Sequence, residues 1–238
     1  MKAQRQTDFG KEGLETWQAI LDAHGKVRRE QVAEPFHQGL EFFGISSQSI
    51  PDLDKVNEKL RKKSGFQGLF VNGLEGVENF YTLLAQKLFP IGHFIRDKKD
   101  LSYTPEPDIV HDLYGHMPFL IDEAYSRFCQ KFGEITCQFL DRPDLVRQFE
   151  RFFWFTIEFG LIKTPEGVRV FGAGIASSTA ECAYALSEEP KVVPFDVDKI
   201  RQQEFRIDEI QKKLFLLESP EQLYESLDEL YLKVRGDR

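Results

Sequence analysis

The chain has 238 residues, 41% of them hydrophobic and 13% aromatic, enough to fill a sizeable core in one globular domain. Its net charge of -8 leaves no electrostatic footprint for nucleic acid, because the densest basic cluster, Arg61-Lys62-Lys63, is three residues long. No signal-peptide core follows Met1, no uninterrupted apolar run reaches the roughly 18 residues of a membrane span, and a cytoplasmic protein is expected. The cysteines Cys129, Cys137 and Cys182 are odd in number and form no CxxC pair, which argues against a disulfide scaffold or a thiolate metal site.

In chain order, "GLETWQAILDAH" places Leu14, Trp17, Ile20 and Leu21 on one helical face and stops at Gly25. "DLDKVNEKLRKKSG" repeats the pattern more weakly and stops at Gly65. "VENFYTLLAQKLF" reads as helix as far as Pro90, and "DEAYSRFCQKFGEITCQFL" and "DLVRQFERFFWFTIEFGLI" read as two longer, more buried helices. Strand signals are fewer: "GVRVFGAG", entered through a type I turn at Thr164-Pro165-Glu166-Gly167, and "KKLFLLES". The last helix, "SPEQLYESLDELYLKV", opens with Ser219 as cap, Pro220 at the first helical position and Gln222 completing a capping box. With no repeat and no low-complexity tract, the sum is a mainly helical α+β fold in a single domain over residues 1–238.

Two of the histidines fall in "YTPEPDIVHDLYGHMPFL", at His111 and His116. Successive side chains on an α-helix lie about 100° apart, so residues five apart diverge by about 140° and cannot converge on a straight helix. Gly115 offers a way out by taking the left-handed conformation that ends a helix, and Pro118 forbids regular continuation. His111 would then sit in the last helical turns, with His116 turned back toward the same point. From spacing alone, one core histidine and one exposed histidine is an equally good account.

A third donor could come from "FFWFTIEFGLI", where Glu158 is the only charged residue. An ionised carboxylate there needs a cation or strong hydrogen bonds, unless its helix turns it to solvent. Two imidazoles and one carboxylate leave open positions on a metal and suit non-haem Fe(II) and oxygen chemistry. A zinc hydrolase would show HExxH spacing, whereas here Asp112 follows His111 and the second histidine is misplaced.

Three segments, "TPEPDIVHDLYGHMPFL", "FFWFTIEFGLIKTPEGVRVFGAGIASSTAE" and "LSEEPKVVPFD", resemble the signature segments of the tetrahydropterin-dependent aromatic amino acid hydroxylases. Within that family the chain is most similar to the short bacterial phenylalanine 4-hydroxylases, in register from about Trp17 to about Asp196. The resemblance implies the family's catalytic-domain fold, a basket of helices with small strand elements around an iron cleft. It assigns the iron to His111, His116 and Glu158, the residues that spacing and composition also bring forward.

The resemblance further implies that Arg96 grips the α-carboxylate of the amino acid with its guanidinium fork, with Tyr103, Thr104 and Ser177 near that end. Pro107 and Trp154 would line the aromatic ring. The pterin would stack on Phe80, with the backbone of Gly73, Leu74 and Glu75 at its polar edge and Asp112 close by, and Glu181 would stand one layer behind the site. Read without the family, Arg96 is a surface arginine, Phe80 and Trp154 are core aromatics and Glu181 is a solvent-facing helical charge.

The expected function is therefore an iron- and tetrahydropterin-dependent monooxygenase that hydroxylates the ring of an aromatic amino acid with O2, phenylalanine to tyrosine first. Tryptophan 5-hydroxylation and tyrosine 3- or phenylalanine 3-hydroxylation are the alternatives, and a non-catalytic metal-binding or zinc hydrolase protein is the reading from another class. Trp154 favours phenylalanine, since tryptophan hydroxylases of the family tend to carry phenylalanine there. Four positions depart from the family's pattern: Pro90, Phe153, Ala180 and Asp112, the last shorter than the commoner glutamate and so less able to reach the pterin. The length leaves no room for the regulatory domain or tetramerisation helix of animal relatives, and a monomer or weak dimer is expected.

Overall fold

The computed structural model describes residues 8–25, 28–99 and 106–237. Three helices open the chain, α1 Gly10–Gly25, α2 Glu34–Phe43 and α3 Leu53–Lys63. α3 starts where the Asp52 side chain accepts the N–H groups of Asp54 and Lys55, and its Leu53, Val56 and Leu60 turn one face into the core.

Strand β1 Gln67–Val71 and strand β2 Leu88–Gly92 pair in parallel and are joined through α4 Val77–Ala85. The helix expected as far as Pro90 therefore ends at Ala85: Lys87 takes a φ of 60° and the chain leaves as a strand. The cause is non-local, since β1 supplies a ladder from Gln67 opposite Leu88 to Val71 opposite Gly92. Pro90, which has no N–H, fits a strand with only one ladder partner. Asn57 of α3 bonds Gly68 of β1, donating Nδ2 to its carbonyl at 2.9 Å and accepting its N–H at 2.6 Å.

A π-helix over Val110–His116 runs directly into a 3-10 turn over Met117–Ile121. Next come α5 Glu123–Thr136, capped by Asp122, and α6 Pro143–Phe153, whose end continues as a second π-helix over Trp154–Glu158. α6 buries Leu145, Val146, Phe149, Phe152 and Phe153 on one stripe. Phe132 of α5 is the hub of the aromatic core, with ring contacts to Tyr81, Phe128, Phe149, Phe152 and Phe153.

The run after Glu158, expected to stay helical, instead becomes β3 Leu161–Thr164, which forms an antiparallel hairpin with β4 Gly167–Val170 across the predicted turn. Then follow α7 Ala173–Ala176, α8 Thr179–Ala185, β5 Lys191–Pro194, α9 Val197–Gln202, β6 Lys213–Leu217 and α10 Pro220–Gly236. The second sheet has the order β4-β3-β6-β5, and β5 carries no clear local strand signal. At the start of α10, Ser219 accepts the Gln222 N–H as expected, while the Gln222 side chain reaches the N–H of Glu218, one residue earlier than a capping box requires. The mainly helical α+β fold expected from the sequence is the one the chain adopts, and among the described residues no helix is long and apolar enough to cross a membrane.

Candidate active site

His111 and His116 lie on the same π-helix, where hydrogen bonds run from i to i+5 and residues five apart fall in one turn. Met117 N donates to Asp112 O in that pattern. The two Nε2 atoms are 3.3 Å apart. The expected break at Gly115 is corrected by this geometry: Gly115 is not among the glycines of positive φ, and the helix passes straight through it. What matters there is the missing side chain, because a Cβ would come within 2.9 Å of Ala173 O on α7.

Glu158 ends the second π-helix, where Phe159 N donates to Trp154 O. Its Oε1 lies 3.0 Å from His116 Nε2 and its Oε2 3.5 Å from His111 Nε2, and Oε2 is buried without a hydrogen-bond partner among the described residues. Burial opposes charge on this carboxyl, but His116, by its charge and hydrogen bond, holds Glu158 below the usual carboxylate range. Burial holds the His111 imidazole down at about 4, so it is neutral and able to donate a lone pair. Ser177 Oγ donates to Gly174 O at 3.0 Å and turns its lone pairs to His111 Nδ1 at 3.5 Å. That arrangement favours the proton on Nδ1 and the lone pair on Nε2. The ring of Phe89, 4.5 Å from that of His116, holds the second imidazole's plane.

Asp112 competes for the carboxylate role, since His111, Asp112 and His116 also place donor atoms within 4.8 Å of one another. Its Oδ2, however, accepts the Gly92 N–H at 2.7 Å, and its Oδ1 stands 4.0 Å from His111 Nε2. Burial pushes the Asp112 carboxyl well up, toward its neutral form. Glu158, charged and with an oxygen that lacks a partner among the described residues, is the better third donor. The set fits a divalent cation of the iron type.

These residues line one cavity together with Arg96, Pro107, Trp154 and Ser177. Gly73, Leu74, Glu75, Phe80 and Asp112 line it too, so the residues expected around an amino acid and around a pterin converge on the same space. Tyr103 and Thr104 lie outside the described residues. Glu181, expected one layer out from the metal ligands, lines the cavity as well. Arg96 is 7% exposed, and its Nε and Nη2 already donate to Asp108 Oδ2 and Oδ1 at 2.9 and 2.8 Å.

Asp108 escaped the sequence reading although it carried a signal: a carboxylate three residues before His111 at a helix start is a cap, and its Oδ1 accepts the His111 N–H at 3.0 Å. Phe205, stacked on Trp154 at 4.4 Å, and Ile207 on the cavity wall had no local signal.

Over residues 3–235 the chain matches the profile of the Biopterin-dependent aromatic amino acid hydroxylase family. The chain belongs to this family. The phenylalanine-4-hydroxylase of Ralstonia nicotianae is 37% identical over 89% of this chain and 67% of its own length. The crystal structure of Chromobacterium violaceum phenylalanine hydroxylase, with bound iron(III) and the oxidised cofactor 7,8-dihydrobiopterin, superposes with a TM-score of 0.90 at 34% identity and covers 96% of this chain and 84% of that one. Phenylalanine hydroxylase from Legionella pneumophila gives a TM-score of 0.90 at 35% identity, covering 99% of this chain and 94% of that one. As an aromatic amino acid hydroxylase dependent on a biopterin, the protein needs one cavity that seats a flat bicyclic cofactor beside an amino acid, and the cavity above offers apolar walls with a few polar groups.

Proposed function

We propose that this hydroxylase converts phenylalanine to tyrosine with O2, using a tetrahydropterin and one iron ion held by His111, His116 and Glu158. The observation that carries the reading is the buried Glu158 Oε2, which accepts no hydrogen bond from the described residues and sits where two imidazole nitrogens converge. A divalent cation is the partner it lacks. Bound there, iron with the reduced pterin supplies the activation of dioxygen and its transfer to the ring.

The chain's own groups position the partners. Arg96, oriented by Asp108, takes the α-carboxylate, with Ser177 at the same end, and Pro107 and Trp154 wall the ring. Trp154 is itself clamped between Phe159 and Phe205, at 4.6 and 4.4 Å between ring centres, so that wall is firm. Phe80, packed edge-on against Tyr81, Phe89 and Phe153, offers a face to the pterin beside the backbone of Gly73, Leu74 and Glu75. Asp112, tethered to Gly92, stands as a polar group on the pterin side of the cavity. No side-chain nucleophile takes part. The contiguous core supports one catalytic domain, and three unpaired cysteines suit a reducing cytoplasm.

The test is product identification. Protein supplied with Fe(II), a reduced pterin and a panel of aromatic amino acids should consume oxygen and form tyrosine from phenylalanine in preference to any other product. Preferred turnover of tryptophan, or hydroxylation of phenylalanine at another ring position, would overturn the substrate assignment. His111→Ala, His116→Ala and Glu158→Ala should each lose iron while keeping a near-normal helical circular dichroism spectrum. Full iron occupancy in any one of them would remove that residue from the ligand set.

A further inference from the structure

Among the described residues the cavity is lined by the carboxylates of Glu75, Asp112, Glu158 and Glu181. Three have partners: Glu75 accepts from Asn79 Nδ2, Asp112 from Gly92 N, and Glu158 faces His111 and His116. Glu181 differs. Its backbone N–H donates to Ser178 Oγ at 3.2 Å in the first turn of α8, but its carboxylate receives no hydrogen bond and no cation from the described residues. Half-buried on the wall, it is pushed up by burial with nothing to offset the cost.

We propose that Glu181 receives the α-ammonium of the amino acid substrate. The inference rests on the phenylalanine reading and deepens it. An amino acid enters as a zwitterion, and a cavity that takes its carboxylate at Arg96 would bury an uncompensated ammonium unless an anion met it. Asp112 is turned to Gly92, Glu158 to the histidines and Glu75 to Asn79, which leaves Glu181 as the available counter-charge. It is placed for this by Ser178, the cap of α8, which follows directly on Ser177 at the His111 end of the cavity. In return the ammonium gives this carboxylate the hydrogen bonds it lacks, so each charge is stabilised by the other.

Glu181→Gln keeps the shape and removes the charge, and 3-phenylpropanoate is phenylalanine without its amine. The variant should raise the KM for phenylalanine by about tenfold or more, the loss of a charge-assisted hydrogen bond, with kcat within about twofold. The KM for the pterin and the inhibition constant of 3-phenylpropanoate should stay at their wild-type values, and Glu181→Asp should recover part of the phenylalanine affinity. An unchanged KM for phenylalanine would overturn the proposal, and so would an equal loss for 3-phenylpropanoate, which marks a change of cavity shape. Failure of the wild type to hydroxylate phenylalanine would instead count against the underlying reading. Calorimetric binding of the two ligands to wild type and Glu181→Gln tests the ammonium contact without turnover, and equal discrimination in both proteins would sink it.

Discussion

Asp108 holds Arg96 by both carboxylate oxygens, at 2.9 Å to Nε and 2.8 Å to Nη2, and the pair is buried. The same carboxylate accepts the N–H of His111, so one acid orients both the guanidinium assigned to the substrate and the first turn of the helix carrying a proposed iron ligand.

Truncating Arg96 thus does more than remove a binding group. Arg96→Ala is expected to raise the KM for the amino acid and to lose about 3 kcal/mol in urea unfolding, because Asp108 at 0% exposure is left charged without its cation. The KM for the pterin should change much less. An unfolding curve that matches the wild type would show that the backbone N–H groups of Arg96 and His111 satisfy Asp108 alone.

Gly172 governs the placement of Glu158 by contact. A Cβ at Gly172 would lie 2.2 Å from Glu158 O and 2.6 Å from Gly160 N, both backbone atoms that cannot swing aside. Gly172→Ala should therefore shift the ligand and weaken iron binding on the order of tenfold. Gly25→Ala, with nothing within 4 Å of its Cβ, is the control and should bind iron normally. Metal titration monitored by competition with a chelator reads both.

Trp154 lines the cavity and is the residue proposed to select the ring. Trp154→Phe should enlarge the pocket beside Phe159 and Phe205 and raise the tryptophan-to-phenylalanine ratio of kcat/KM on the order of tenfold, the usual worth of a modest change in pocket fit. An unchanged ratio in steady-state assays would place substrate selection elsewhere on the wall.

His24 adds a pH dependence to stability. It is 4% exposed, bonded through Nδ1 to Tyr114 Oη at 3.3 Å, and burial, helped by Arg96, lowers it from 6.5 to about 4. Below pH 6.5 the unfolded chain takes a proton that the folded chain refuses. This contribution is therefore intact above about pH 6.5 and lost progressively down to about pH 4, by roughly 3 kcal/mol in all. His24→Gln, which keeps a partner for Tyr114, should flatten the slope of unfolding free energy against pH in that window. The same slope in the variant would assign the effect to other groups, His37 among them, which burial also lowers.

Much of the site is legible in the chain because its signals are chemical and short-range. An acid alone among aromatics and two histidines beside a glycine draw notice by residue type, whereas Arg96 is brought forward only by the family's motif. Helices α1, α3, α5 and α10 are legible for a similar reason, since their apolar period, and for α10 the cap Ser219, lie within a few residues of the backbone they serve. Leu88–Gly92 and Leu161–Thr164 are not, because a strand is stabilised by its partner: β1 for the first, β4 and β6 for the second.

By itself the sequence determined the helical, α+β character of the scaffold and put forward the groups here proposed to hold a metal and an amino acid. Only the tertiary structure decided how those groups meet. It wound Val110–His116 into a π-helix that aligns residues five apart, a geometry with no local signature, where Gly115 packs against α7. It also gave Arg96 to Asp108 and brought Glu181 onto the cavity wall without a partner among the described residues, because an ion pair, or the lack of one, depends on which distant segments folding brings into contact.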